Sequence, residues 1–249
     1  MKKLLGLAAL FFFFPWDLLA AGGVTIPNVS LGLKTTDNPQ EVVDSIKIIL
    51  MLTVLTLAPA ILILMTCFTR IIIILSFLRQ ALGTQQMPPN QLLVGLTLFL
   101  TFFIMRPAFN ELNTEALKPY LDGKIAQEAA MDRALIPLRR FMFKQTRGED
   151  LQMFLKLSGE EGLAKTRADV SSIVLIPAFV ISELKTAFQI GFIIYLPFLV
   201  IDMVIASVLM AMGMMMLPPV VISLPFKIML FVIVDGWGLI VGSMVKSFG

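Results

Sequence analysis

Uncharged apolar runs, each interrupted by proline, glycine or a lone charge, alternate along this chain with short polar connections. The first, Leu4 to Phe14, follows Lys2 and Lys3 and precedes Pro15 and the small-residue patch Ala20-Ala21-Gly22-Gly23. That order predicts a cleavable secretory signal over residues 1–21, cut after Ala20 or Ala21. An 11-residue run is too short to cross about 30 Å of hydrocarbon. A retained amphipathic anchor is the competing reading. Pro27, Asn38 and Pro39 make residues 22–44 an extended periplasmic lead-in. Ile48 to Thr69 then offers 22 residues without a charge, interrupted by Pro59, and the apolar pattern resumes from Ile71 to Leu78. One long kinked helix is expected there. After the turn-rich Gln80 to Asn90, the run Gln91 to Met105 has 15 residues before Arg106-Pro107, about 22 Å of helix and short for a bilayer. Residues 45–106 are therefore expected to form a first hydrophobic helix pair.

Residues 107–172 read differently. Between Arg106 and Asp169 lie 11 basic and 10 acidic residues, with apolar side chains at helical spacing, Phe141 and Phe154 among them. This predicts a small helical periplasmic subdomain, broken at Pro119, Pro137, Gly148 and Gly159. Residues 173–249 return to apolar runs: Ile173 to Ile201 (with Pro177, Glu183, Lys185 and Pro197), Met203 to Phe226, and Ile228 to Val245 with Asp235 inside. Arg70 and Arg79, unopposed by acids in the connection to Asn90, place that connection in the cytoplasm, and a hairpin near Pro197–Asp202 would join it there. The expected fold is an all-α membrane protein of kinked, proline-broken hydrophobic helices and hairpins, about four crossings with both ends outside.

Composition narrows the function. The 249 residues are 57% apolar and 15% charged, with mean hydropathy +0.88, whereas soluble domains carry about 25% charged residues. There is no histidine and one cysteine, Cys67. His-ligated metals, Cys-cluster zinc sites and an internal disulfide are excluded, and no metal or cofactor is expected. A net charge of +3 does not point to nucleic acid. The aromatic basic stretch Arg139-Arg140-Phe141-Met142-Phe143-Lys144 is the one motif with that flavour, and it falls in the segment expected outside.

Charges inside the apolar runs carry more information. At a bilayer centre each costs at least about 2.5–3.5 kcal/mol, so Glu183, Lys185, Asp202, Lys227 and Asp235 must face protein or water. Glu183 and Lys185, two apart, cannot share a helix face and need separate partners. Lys227 or a neighbouring subunit could serve Glu183, while Asp202 reads as a charge at a helix end. Six of the 16 methionines fall between Met203 and Met216, just before Pro218-Pro219, which places the cluster at a turn. Core filling, Cu(I) binding and a flexible pore collar are the three readings of it. Gly238 and Gly242 have the spacing of a close helix-packing motif. A solute transporter or channel with midplane charges, or an intramembrane enzyme using Asp202 and Asp235, are alternative classes.

The segment from Pro177 through Phe179, Glu183 and Gly191 to Phe192 resembles the first signature of the FliP family of flagellar biosynthetic proteins. The segment from Pro225 and Lys227 to Asp235-Gly236-Trp237-Gly238-Leu239 resembles its second, and Met212-Gly-Met-Met-Met-Leu-Pro-Pro219 between them is also similar to the family. The resemblance implies no enzyme but a core, channel-forming subunit of the flagellar type III protein export gate in the bacterial inner membrane, at the basal body. It implies a homo-oligomer of about five copies, joined by FliQ and FliR and other export-apparatus membrane proteins, passing unfolded flagellar subunits. Met214, Met215 and Met216 match the family's pore-closing methionine loop. Glu183 and Lys227 match positions that pair between adjacent subunits. The injectisome counterpart of the same family is the nearest alternative, and the signal over residues 1–21 favours the flagellar branch.

Overall fold

The computed structural model describes residues 46, 48–49, 52–53, 56–57, 60, 63–84, 87–160, 162, 166–167, 169–214 and 216–249. The expected signal and lead-in lie outside the described residues. Met1–Met51 and Leu52–Gly249 are two compact units; in the first, Ile46, Ile48 and Ile49 are helical. All regular structure among the described residues is helical, as expected. The second unit contains α1 (Phe68–Leu82), α2 (Asn90–Leu112), a π-helical segment (Asn113–Leu117), α3 (Lys118–Leu121), α4 (Gln127–Gln145), α5 (Gly148–Leu157), α6 (Ser172–Ala211), α7 (Pro219–Ile233) and α8 (Gly236–Lys246).

Prolines punctuate this chain less than their number suggests. Pro107, Pro137, Pro177, Pro197 and Pro225 all sit inside helices. An internal proline forfeits one backbone hydrogen bond at a cost of about 3 kcal/mol. Ending the helix instead leaves four N–H or four C=O groups without partners, a heavier loss where no water can reach them. The expected hairpin at Pro197–Asp202 is therefore corrected: α6 runs unbroken for 40 residues. What stops it is Gly213, whose φ of 75° lets its N–H reach Met210 O at 3.0 Å and the next N–H, of Met214, reach Leu209 O at 2.9 Å. This is the left-handed glycine stop that side-chain-bearing residues rarely adopt. Pro219 then begins α7 at a position where its missing N–H is harmless. For the same reasons Arg106-Pro107 does not end α2, and Pro137 does not divide α4. Gly159, with φ 72°, does terminate α5.

Two stripes make the core. On α1 the buried residues Arg70, Ile71, Ile74, Leu75, Leu78, Ala81 and Leu82 recur every three or four positions, one face of a helix. On α6 the matching stripe is Val174, Leu175, Ala178, Phe179, Ser182, Glu183, Ala187, Gly191 and Phe198. The helices run in the same direction, since Arg70 meets Glu183 and Phe77 meets Phe188 farther along both. Small residues on α6 allow the approach: a Cβ added at Gly191 would lie 2.6 Å from the Phe77 ring. The helices of residues 107–172 pack onto this seam, α4 against α2 and α6, and α5 along α6. Phe141 meets Phe179 edge to face and stacks on Phe248, and Phe154 packs on the same core.

Much apolar surface is left over. Asn90–Leu121 and Ser172–Ala211 are long and apolar enough to cross a membrane, and α7 with α8, bent by 64° between them, reach that length and apolarity only as a pair. At 1.5 Å per residue α6 is about 60 Å long, twice a hydrocarbon core. Only Leu93, Thr97, Thr101 and Met105 of α2 are buried, whereas Phe99 is 78% exposed.

Gly191→Ala is expected to force the Phe77 ring aside and to lower stability by about 1–3 kcal/mol. Thermal unfolding in detergent would show the loss, and adding Phe77→Ala should remove the clash and reduce the penalty of the alanine at 191.

Candidate functional site

Three charges on α6 organise the interior, and each is answered by a different helix. Glu183, fully buried, pairs with Arg70 of α1. The Arg70 guanidinium also donates to Gln145 Oε1 of α4 at 3.0 Å and to the carbonyl and hydroxyl oxygens of Ser247 at 3.4 and 3.3 Å. Its carbon lies 4.0 Å from the centre of the Phe248 ring. One cation thus ties α1, α4, α6 and the C-terminal turn together. Arg70 Nε and Glu183 Oε2 have no hydrogen-bond partner among the described residues. Sequence reasoning missed this role, treating Arg70 as the start of a loop, although a lone arginine between a 22-residue uncharged run and a further apolar stretch is the signal that could have found it.

The second cluster corrects another expectation. Asp202 is not at a helix end but inside α6, where its Oδ2 accepts from Lys227 Nζ of α7 at 2.6 Å and its Oδ1 accepts from Ser223. Lys227, 2% exposed, donates as well to Ala81 O at 3.2 Å. That carbonyl is one of the unpaired groups at the C-terminus of α1, where a cation is favoured by the helix dipole. Within the chain Glu183 and Lys227 do not meet; each stands in its own cluster.

Lys185 faces the other way, as its spacing from Glu183 requires, and pairs with Asp150 in the first turn of α5. Ser182 Oγ donates to the same carboxylate at 2.7 Å and accepts from Arg147 N at 3.0 Å. Burial pushes the Asp150 carboxyl up, but the hydrogen bonds from Lys185 and Ser182 and the charges of Lys185 and Arg147 outweigh it, so its pKa stands below the ordinary value.

The remaining signature residues are structural in this chain. Pro177 lies in α6 and Phe179 is buried beneath it; Pro225 lies inside α7. Asp235 takes a left-handed conformation and its carboxylate caps α8, accepting from Gly238 N at 3.4 Å. Gly236 lies against the Phe231 ring, which meets Trp237 edge to face. Among the described residues nothing lies within 4 Å of where a Cβ at Gly242 would stand. Met214 and Met216 lie in the turn between α6 and α7, as expected, with Met216 98% exposed. Met215 lies outside the described residues. No group of three metal-ligating His, Cys, Asp or Glu occurs among the described residues.

Arg70→Met alone leaves a buried carboxylate unmatched and should destabilise by about 3–5 kcal/mol, whereas Arg70→Met with Glu183→Met should cost far less. Urea unfolding in detergent of the two variants measures the difference. The Asp150 pair adds a pH signature. Its folded pKa lies below the unfolded value of about 3.9, so its contribution is complete above that pH and vanishes as pH falls through the folded value. Amides of α5 should lose exchange protection below about pH 4, after correction for intrinsic rates, and Asp150→Asn should abolish the change.

A profile of the FliP family matches residues 51–244. The chain is 57% identical to the flagellar biosynthetic protein FliP of Bacillus subtilis over 224 residues, 89% of this chain and 100% of the relative. It is 56% identical to that of Pectobacterium carotovorum over 204 residues, covering 82% and 79% of the two chains. The Aquifex aeolicus protein of the same name is 47% identical over 232 residues, 93% and 96% of each. With both signatures assembled around the charged core of α6 and α7, the chain belongs to the FliP family, as a membrane-associated protein of flagellar biosynthesis and export.

Proposed function

We propose that the chain is a channel-forming subunit of the flagellar export gate, set in the bacterial inner membrane at the basal body. About five copies, together with FliQ and FliR, would surround a conduit for unfolded flagellar subunits. Beyond family membership, one observation carries this reading: Met216, in the turn between α6 and α7, is almost wholly exposed. Unbranched thioether side chains adapt to irregular apolar surfaces, so a ring of such turns can hold ions back when empty and deform around an extended polypeptide. The role is steric, and it needs no catalytic group. The apolar faces left open on α2 and α6 supply the surface for lipid, for sister copies and for other membrane proteins of the export apparatus.

Pairing of Glu183 with Lys227 of the partner subunit belongs to the same proposal. Glu183 Oε2 has no hydrogen-bond partner among the described residues, so one lone-pair site is left for a further cation. Reaching it requires the Lys227–Asp202 pair to open in the donor chain. On this reading Arg70→Met with Glu183→Met, which avoids the unmatched Arg70 that Glu183→Ala alone would leave, lowers the yield of the oligomer on native gels more than it lowers the helical content of the monomer. Equal oligomer yield would remove the pair from the interface.

Replacing Met214, Met215 and Met216 together by alanine should leave assembly intact and make the membrane leak ions, measured as conductance in a planar bilayer or as inner-membrane depolarisation in cells. A tight membrane in an assembled triple variant would exclude the collar.

A further inference from the structure

One face of α4 is left open by its neighbours, and the charges on it are ordered. Glu128, Asp132, Ile136, Arg140 and Lys144 follow one another at intervals of four within this helix, and each of them is exposed. Residues four apart form a continuous ridge along a helix, about 24 Å long here at 1.5 Å per residue. The signs invert about its midpoint. Asp132 and Arg140 stand one step either side of Ile136, and Glu128 and Lys144 stand two steps either side. The acids are unanswered: neither Glu128 nor Asp132 forms an ion pair among the described residues. The bases are only partly committed. Arg140 gives one nitrogen, Nη1, to the two oxygens of Glu111 at 2.9 and 2.7 Å, yet its side chain remains 66% exposed. Lys144 Nζ makes a long contact of 3.4 Å with Phe248 O.

Such a ridge is complementary to itself. Turned end to end about a two-fold axis through Ile136, a second copy lays its Asp132 against Arg140 and its Arg140 against Asp132. Glu128 and Lys144 pair outside them, and the two Ile136 side chains, each 51% exposed in the single chain, meet at the centre. That is the isologous contact of like chains, and ridges of this spacing pack into each other's grooves. Beside the basic half a cavity of about 330 Å³, lined by Ile136, Arg139, Arg140, Phe143 and Arg167, offers cationic and apolar walls to the facing acid and isoleucine. One pair off the ridge opposes, since Arg133 comes over Arg139. Arg139 is drawn aside, donating to Ser172 Oγ at 2.6 Å and to the Val170 carbonyl, and the exposed Arg133 can turn to water. A foreign protein would match the acids or the bases without requiring them to mirror one another about a single residue. We propose that the open face of α4 docks the same face of a second copy, antiparallel, through Asp132–Arg140 and Glu128–Lys144 pairs around Ile136. A two-fold contact joins two chains and cannot close a ring of five, so this surface is separate from the one the channel requires and the inference does not rest on it.

The test uses the full chain purified alone in mild detergent, its mass followed by sedimentation across a concentration series. The wild type is expected to dimerise, more weakly at high salt. Asp132→Arg and Arg140→Asp each set like charges together twice, once per contact, and should each raise the dimer dissociation constant by roughly tenfold or more. An equal mixture of the two variants should recover the wild-type constant, because residue 132 of each then meets residue 140 of the other with opposite sign; that recovery also shows that both variants fold. Arg133→Gln, one residue off the ridge, should not weaken the dimer. Ile136→Cys should form a disulfide-linked dimer on mild oxidation, since a residue on the axis meets its own copy, whereas Arg133→Cys and the wild type, with Cys67 fully buried, should not. A chain monomeric at every concentration, a dimer that neither reversal weakens, or a mixture that recovers nothing overturns the pairing. An assembly larger than a dimer with no cross-link at position 136 overturns it as well, and leaves the channel reading standing.

Discussion

A charge placed on an apolar helix must find an opposite charge or water, and α6 carries three in this position: Glu183, Lys185 and Asp202. Successive residues of a helix point about 100° apart, so these charges leave α6 in three directions. Each direction holds a different helix. Arg70 brings α1 to Glu183, Asp150 brings α5 to Lys185, and Lys227 brings α7 to Asp202. The arrangement of the whole unit follows from those three pairings, with α6 as the common spine.

Their worth lies in specificity more than in net stability. A buried ion pair is commonly no more stabilising than apolar side chains of the same volume. Between apolar helices in lipid, however, burial supplies little driving force, and packing and polar contacts decide which faces meet. A stripe of Ile71, Ile74, Leu75 and Leu78 on α1 could slide along α6 by a turn at modest cost; Arg70 could not, because its sliding would bury an unmatched cation and an unmatched Glu183. The same guanidinium also reaches Gln145 and the turn at Ser247, so register along the α1–α6 seam and closure of the C-terminal turn are set by one residue.

Legibility from sequence divided along physical lines. Helical class, apolar runs and the impossibility of lipid-facing charges depend on local composition, and these were readable. That Glu183 and Lys185 require separate partners followed from two-residue spacing alone, and Arg70 and Asp150 are those partners. Which partner serves which charge was not readable, because Arg70 lies 113 positions from Glu183 and no local rule links them. The element boundaries around proline were misread for a definable reason. Proline weakens a helix in water, where a freed carbonyl is hydrated, but in apolar surroundings stopping costs more than continuing, so Pro107, Pro137 and Pro197 remain inside helices. Gly213 was the better boundary marker, since a left-handed residue can end a helix while satisfying its last carbonyls. Asp235, the lone charge inside the run Ile228 to Val245, is the cap of α8.

The two ends of the methionine turn are anchored a short way inside the bundle. Asp202 lies nine residues before Ala211 and Lys227 eight after Pro219, about 12–14 Å along each helix from the turn. Their ion pair, with Ser223 and the carbonyl of Ala81, ties α6, α7 and the end of α1 at one level. Below that level the helices have fixed partners. Above it the chain passes through Gly213, a run of methionines and two prolines, with no buried charge to hold it. Side chains that can reshape themselves are thus confined to the tip, while the helices that carry the tip are pinned by a contact that is expensive to break. A turn built this way can change shape without transmitting the deformation into the core.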